Sequence, residues 1–143
     1  MTDAHPRLSL MVFSGDFARV HYTLVIASAA AATNVPVTVF FTMKAAHAVL
    51  SSVAGRKGWH DLSGEDGRSA VKTDSDYMAS GVAGFEELIS ACAELGVRFM
   101  VCEMGLRSLG LEGVELRGDL EITPGGVVSF LADAGDEGRI IFI

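Results

Sequence analysis

Apolar residues along the chain gather into four short continuous runs, separated by longer segments of helical period. These runs lack the polar alternation of a half-exposed strand. We therefore expect strands that are buried on both faces, as in a parallel sheet. The runs cover residues 8–13, 35–41, 97–101 and 139–143.

The segments between the runs predict helices. Residues 17–32 are apolar nearly all round, which predicts a helix covered on more than one side. Residues 81–95 are amphipathic, with Val82 and Leu95 on the apolar face. Thr123-Pro124 is typical of a helix start, as cap and first turn, for a helix that runs to about residue 134. Two shorter helices are predicted over residues 42–50 and 103–109.

Two segments have no clear period. Residues 55–76 are rich in Gly, Ser and charge and predict a long loop, in which Trp59 forms either a lid contact or an oligomer contact. Residues 120–123 fit either a short strand or a turn. The alternation of strands and helices predicts one domain over residues 1–143. Its expected architecture is a three-layer α/β/α fold with a mostly parallel sheet of four or five strands.

Composition narrows the class of protein. With 50% hydrophobic and 20% charged residues, the chain is not of the disordered class. Its net charge of −7 makes binding to a nucleic-acid backbone unfavourable. Mean hydropathy is high at +0.38, yet no apolar run approaches the roughly 20 residues that span a bilayer. We therefore expect no membrane partner and place the excess apolar surface in a homo-oligomer interface.

The start of the chain lacks the pattern of a secretory signal, so we expect a cytoplasmic protein. Its two cysteines are then thiols. Ligands of open parallel sheets bind beyond the carboxyl ends of the strands, and the residues that follow the predicted strands are the candidate binding residues. They are Ser14, Gly15 and Asp16, then Thr42, Met43 and Lys44, and finally Cys102, Glu103 and Met104.

Cys102 is the candidate reactive group. It begins a predicted helix, whose free N–H groups favour a thiolate. Arg107 adds positive field, whereas Glu103 opposes it. We expect an exposed, partly ionised thiol, with a buried hydrophobic role as the alternative. Cys92, on the apolar face of residues 81–95, is predicted to be a core residue.

Other site chemistry has weaker support. Zinc binding by Cys102, His47 and an acidic residue has no ligand-pair spacing behind it. The sequence contains no GxGxxG, phosphate-binding loop or GxSxG motif, which disfavours dinucleotide and phosphoryl-transfer enzymes. We expect neither a resident cofactor nor a metal.

Four segments resemble the DsrE/DsrF-like family, in the branch often labelled "peroxiredoxin family protein". They are VFSGDFARVHYTLVIASAAAA, VTVFFTM, GFEELISACAELGVRFMVCEMGLRSLGL, and GGVVSFLADA with a terminal IIFI. The resemblance implies a small parallel α/β fold and homo-oligomers, often trimers or dimers of trimers. It also implies cytoplasmic sulfur relay through a cysteine at the position of Cys102. Residues 43–46 and 103–106 depart from the pattern of that branch.

The sequence is compatible with two functions. In the first, the protein is a sulfur carrier or sulfurtransferase, in which Cys102 accepts sulfur as a persulfide from a donor and passes it to a thiol on a partner protein. In the second, it is a non-catalytic oligomeric binding module for a small anion, a nucleotide-like ligand or a metal. A purely structural oligomer is the plainest reading, and a Cys102 without an open pocket would favour it.

Overall fold

A computed structural model describes residues 5–52 and 54–143. Its strands are β1 Leu8–Val12, β2 Val37–Phe41, β3 Arg98–Cys102, β4 Ile122–Gly125 and β5 Arg139–Phe142. All strand pairs are parallel, in the order β4-β3-β2-β1-β5. Each of the four apolar runs contains a strand, which confirms the predicted parallel α/β sheet.

The helices occupy both faces of this sheet. They are α1 Phe17–Ala32, α2 Ala70–Ala79, α3 Phe85–Glu94, α4 Glu103–Ser108 and α5 Val127–Ala134. Helices α1 and α3 pack on one face, here called the first face, and α5 lies on the second face. The prediction of a single three-layer α/β/α domain is confirmed.

Alternate residues of each central strand point to opposite faces. The first face holds the main core, built from Leu10, Val39 and Phe99 against α1 and α3. The second face holds a smaller cluster of four buried side chains with Met11 beside them. That cluster consists of Phe40, Met100, Cys102 and Phe130.

The polar segment 55–76 is not a continuous loop, so that prediction is wrong. A short 3-10 helix occupies Gly58–Asp61, and α2 begins at Ala70. Ser69 caps α2 by accepting the Lys72 backbone N–H at 3.0 Å. Two of the three buried residues of α2, Thr73 and Asp74, are polar, whereas Val71 and Met78 are exposed, so its apolar period is weak.

Trp59 forms neither a lid contact nor an exposed oligomer contact. Its ring is buried and stacks on Phe85 at 5.0 Å between centroids. Its indole N–H donates to the Glu86 carboxylate at 2.8 Å. The 3-10 segment therefore extends the main core over the start of α3.

Helix α3 begins later than predicted. The buried Asp74 carboxylate accepts the Phe85 backbone N–H at 2.7 Å and so caps the helix at that residue. Val82 and Leu95 are exposed, and their placement on the buried face was wrong. The predicted helix at 42–50 is a 3-10 helix over Met43–Val49.

The prediction that Thr123-Pro124 starts a helix is also wrong. Both residues belong to β4, where Thr123 pairs with Met100 and Pro124 with Val101. Strand β4 lies at the edge of the sheet, where a proline is tolerated because its missing N–H would face outward. Helix α5 begins only after Gly126.

Of two predictions about cover, the one for β5 is wrong and the one for α1, a helix covered on more than one side, is confirmed. Strand β5, expected to be buried, is exposed along its whole length at the other edge of the sheet. Helix α1 is covered by its own chain, through the sheet, α2 and α3. Within the described residues, no helix combines the length and apolar character needed to cross a bilayer.

Candidate functional site

The parallel sheet places the ends of β1, β2 and β3 at one edge, as expected for the three candidate segments. Gly15 and Lys44 are in contact there, since a Cβ on Gly15 would lie 2.6 Å from the Lys44 Cβ. Gly105 of α4 approaches the start of the 3-10 helix equally closely. A Cβ on Gly105 would lie 2.5 Å from the Met43 backbone nitrogen.

The segment after β1, residues 14–16, makes hydrogen bonds that cap α1 and fix the neighbouring turn. Asp16 caps α1 by accepting the Arg19 N–H at 3.0 Å, and the Ser14 hydroxyl accepts the Asp16 N–H at 3.1 Å. The Gly15 carbonyl accepts the Ser63 N–H at 2.9 Å. The polar atoms of these residues therefore hold the local fold together.

The segment after β2 forms a tight corner. Thr42 is buried, and its backbone N–H donates to the Val12 carbonyl at 2.9 Å. Met43 adopts a left-handed backbone with φ of 50°, and its sulfur accepts the Ser108 hydroxyl at 3.6 Å. Lys44 is exposed. This corner supports α4 from one side.

Cys102 ends β3 and caps α4. Its sulfur accepts the Gly105 backbone N–H at 3.4 Å. The residue is only 1% exposed and packs with Phe40, Met100 and Phe130. In the single chain, the expectation of an exposed thiol is therefore wrong.

A groove of about 540 Å³ nevertheless reaches Cys102. Glu103 and Met104, two of the predicted candidates, line it on the α4 side, and both are exposed. The opposite wall comes from the turn between β4 and α5. Its lining residues are Gly125, Gly126, Val127, Val128, Ser129 and Ala132.

This opposite wall was missed because residues 122–125 were not assigned to a strand. In the sheet, Cys102 is paired in register with Gly125, which brings the Gly125-Gly126 turn beside the cysteine. The signal that could have found it was the short run 120–123, which left room for a fifth strand. The segments after β1 and β2 do not line the groove.

The groove is mostly apolar. Of its nine lining residues, all in the described part of the chain, Glu103 alone carries a charge. Arg107 does not line the groove, and its guanidinium pairs with Glu112 at 2.9 Å. The positive charge of Arg107 therefore lies next to the Glu112 carboxylate and not in the groove beside the Cys102 thiol.

Metal binding has no supporting geometry here. Over residues 5–52 and 54–143, no three His, Cys, Asp or Glu side chains converge as metal ligands. His47 lines a different cavity, between the 3-10 helices and residues 111–114. The suggested zinc set of Cys102 and His47 is therefore not assembled.

Cys92 provides an internal contrast. It is fully buried between α3 and α1, and its S–H donates to the Leu24 carbonyl at 3.5 Å. Burial raises the pKa of the Cys92 thiol from 9.0 to about 12. This thiol is held in its protonated form, as expected for a core cysteine.

Comparison with known proteins agrees with this architecture. The profile of the DsrE/DsrF-like family matches residues 11–142, nearly the whole sheet and every helix. The chain belongs to the DsrE/DsrF-like family. The resemblance found in the sequence is thereby confirmed.

A curated relative and two solved structures extend over the whole chain. The DsrE/DsrF-like domain is 28% identical to the uncharacterized protein YrkE of Bacillus subtilis (strain 168), with both chains fully covered. It is similar in fold to protein MTH1491 of Methanobacterium thermoautotrophicum, a protein of unknown function. The TM-score is 0.63 at 16% identity, with 97% of this chain and 100% of the other covered.

The ychN protein of E. coli shares the same fold at a TM-score of 0.57 and 12% identity, with 96% of this chain and 99% of the other covered. At these identities the two structures support the DsrE-like fold alone.

Proposed function

We infer that the protein is a sulfur carrier in which Cys102 holds sulfur as a persulfide. The supporting observation is the setting of Cys102: its sulfur accepts a backbone N–H from Gly105 and adjoins an open groove. A backbone N–H directed at this sulfur can hydrogen-bond the thiolate that the transfer uses and the persulfide that it forms. Membership of a family associated with sulfur relay supports the same chemistry.

The transfer takes two balanced steps. The Cys102 thiolate attacks the outer sulfur of a donor persulfide, R–S–SH. The donor S–S bond breaks, a thiolate R–S⁻ leaves, and Cys102–S–SH forms. An acceptor thiolate then attacks the outer sulfur, which regenerates the Cys102 thiolate and leaves the acceptor as a persulfide. No external oxidant or reductant is needed.

The groove walls define which donors fit. Met104 and Val128 are exposed apolar side chains beside the thiol, and Glu103 is the one lining charge. A small sulfur anion gains no cationic partner there and meets a carboxylate. We therefore expect a persulfide carried on a protein side chain to be a better donor than free polysulfide or thiosulfate.

The experiment is loading with an organic persulfide, followed by intact-mass measurement. A single sulfur adds about 32 Da, as persulfidation of one thiol requires. We expect the adduct on the Cys92→Ala variant, which retains Cys102, and its loss in Cys102→Ala, the matched control. Equal adducts on both variants would show that Cys102 is not the residue that carries the sulfur.

The burial of Cys102 supports a second candidate, a binding module without sulfur transfer. A thiol that is 1% exposed can act as a groove wall instead of a nucleophile. This function predicts no adduct on either variant. It also predicts that Cys102→Ala keeps any rise in melting temperature caused by a small anion or nucleotide, because the ligand would not need the thiol.

A further inference from the structure

A second cavity, of about 360 Å³, lies between the two 3-10 helices and the chain that follows α4. Among the described residues, none lines both this cavity and the Cys102 groove. Its volume is within the range of small-molecule sites, roughly 300–1,000 Å³. We call it the His47 cavity, and the lining residues that define it here are His47, Leu50, Arg56, Lys57, Asp61 and Val114.

The His47 cavity is held in shape by backbone contacts on two sides. A Cβ on Gly58 would overlap the His47 carbonyl oxygen and lie 2.8 Å from the Leu50 Cβ, so the two 3-10 helices meet closely at this glycine. On the other side, the Ser51 N–H donates to the Glu115 carbonyl at 2.8 Å. A cavity that exists before its ligand arrives loses less free energy to ordering when the ligand binds.

Part of the cavity wall is apolar. Leu50 is buried, Leu111 is half-buried, and Val114 is 37% exposed, and all three line the cavity. A ligand with an apolar body would cover these side chains and remove their surface from water, which favours binding. The apolar wall therefore selects against a small, fully hydrated ion.

The two cationic side chains of the His47 cavity are weakly paired. The Arg56 guanidinium contacts the Asp61 carboxylate, but the two side chains are 60% and 46% exposed, and such pairs contribute little. The Lys57 Nζ lies 3.9 Å from the Glu86 carboxylate, whose two oxygens already accept N–H groups from Arg117. The carboxylate of a ligand can therefore compete for both cations.

The His47 ring adds a hydrogen-bond donor. Within residues 5–52 and 54–143, its Nδ1 is buried and has no hydrogen-bond partner. A proton on Nδ1 would be left unsatisfied, so the neutral ring carries its proton on Nε2. Because the ring lines the cavity, Nε2 is the nitrogen that remains to donate to an oxygen of a ligand.

We propose that the His47 cavity binds a small carboxylate with an apolar body, such as the anion of a medium-chain fatty acid. In the described part of the chain, the charges that line the cavity are Arg56 and Lys57 against Asp61. One positive charge remains, although the whole chain carries −7, and a single carboxylate neutralises it. The guanidinium of Arg56 matches the two oxygens of a carboxylate. This site is independent of sulfur transfer at Cys102.

Trp59 provides the readout for a binding experiment. It is the single tryptophan of the chain, and its indole donates to the same Glu86 carboxylate that Lys57 approaches. Movement of Lys57 toward a ligand changes the charge beside the indole. Titration of the full chain with octanoate should therefore change the Trp59 fluorescence, with a Kd on the order of 1 mM. Octylammonium, which has the same tail and the opposite charge, should bind at least about fivefold more weakly.

Two substitutions should change the octanoate affinity in opposite directions. Arg56→Gln removes a charged hydrogen-bond donor and should weaken binding about tenfold. Asp61→Asn removes the carboxylate that competes for Arg56 and should strengthen binding about threefold. The matched control is Arg68→Gln, because Arg68 is 58% exposed and also pairs with an aspartate, Asp76, but does not line the cavity. Circular dichroism checks that all three variants fold.

Isothermal titration calorimetry measures the same affinities without relying on fluorescence. A lack of saturable octanoate binding in the calorimeter would overturn the proposal, as would equal affinities for Arg56→Gln and Arg68→Gln, or for octanoate and octylammonium. Cys102→Ala should bind octanoate as the wild type does. Loss of binding in that variant would place the ligand in the Cys102 groove and refute the His47 cavity as its site.

Discussion

The two faces of the sheet each carry one cysteine, and the two thiols are held in opposite ways. On the first face, Cys92 of α3 packs against α1, and its S–H donates to the Leu24 carbonyl, which keeps the proton on the sulfur. On the second face, the Cys102 sulfur accepts an N–H from Gly105. The two buried thiols therefore differ in their hydrogen bonds: the Cys92 thiol donates to a carbonyl, and the Cys102 sulfur accepts from an amide.

The layers of cover differ as well. The first face lies under two helices of 16 and 10 residues, with α2 packed outside α1. Within residues 5–52 and 54–143, the second face has the single helix α5, which is 8 residues long, and apolar side chains of β5 remain in solvent. Where cover is complete, the residues serve stability. Where this helical cover ends, on the second face, lie the Cys102 groove and the exposed side chains of β5.

The largest expected effect comes from breaking the closed face. The Phe17 ring contacts Trp59, Tyr77 and Phe85, so Phe17→Ala leaves a cavity that several rings border. We expect a loss of about 4 kcal/mol in the free energy of unfolding, measured by urea titration.

Phe130→Ala is the matching change on the second face. Phe130 belongs to α5, and its ring stacks on Phe40. The outer side of α5 is exposed, so the helix can move inward to fill a cavity. Its cost should be about 1 kcal/mol smaller, since cavities that can collapse cost less. Equal losses would mean that the second face is as rigid as the first. Faster alkylation of Cys102 should accompany only the second substitution.

An intermediate effect concerns Cys92 at alkaline pH. Its pKa rises from 9.0 to about 12 on folding, so between these values the folded chain keeps a proton that the unfolded chain has lost. The Cys92 contribution is intact below pH 9 and declines above it, by up to about 1.4 kcal/mol per pH unit.

Urea titrations between pH 8 and about 10.5 measure this decline. The slope should be shallower in Cys92→Ala than in the wild type. Cys102→Ala retains Cys92 and should keep the Cys92 part of the slope. Identical slopes in wild type and Cys92→Ala would contradict the raised pKa.

The smallest effect concerns Arg107. Its guanidinium and the Glu112 carboxylate form an exposed ion pair, 66% and 64% in solvent, and such pairs stabilise weakly. We expect Arg107→Ala to change stability by less than about 0.5 kcal/mol and Cys102 alkylation by less than about twofold. A large drop in alkylation would restore the role that the sequence suggested for this residue.

Prediction from the sequence succeeded where neighbouring residues alone decide the outcome. The runs at 8–13 and 35–41 contain β1 and β2, as the uninterrupted apolar residues predicted. Prediction failed where a contact between residues far apart in sequence determines the start or the pairing of an element. The start of α3 is determined by Asp74, which lies 11 residues earlier and was assigned to a loop. The six lining residues beyond Cys102, Glu103 and Met104 were missed because β4 was read as part of a helix.

The sequence by itself determined the parallel sheet, the family and the position of Cys102 at a strand end, because apolar runs and local capping are encoded by residues close in the chain. Only the tertiary structure decided which strands lie at the edges, and hence that β5 is exposed and Gly125 adjoins Cys102. Strand order depends on free-energy differences between whole packings, and a residue's cover depends on helices far away in sequence. The Cys92 thiol likewise finds its partner far away in sequence, at the Leu24 carbonyl, whereas Gly105, the partner of Cys102, lies three residues along the chain.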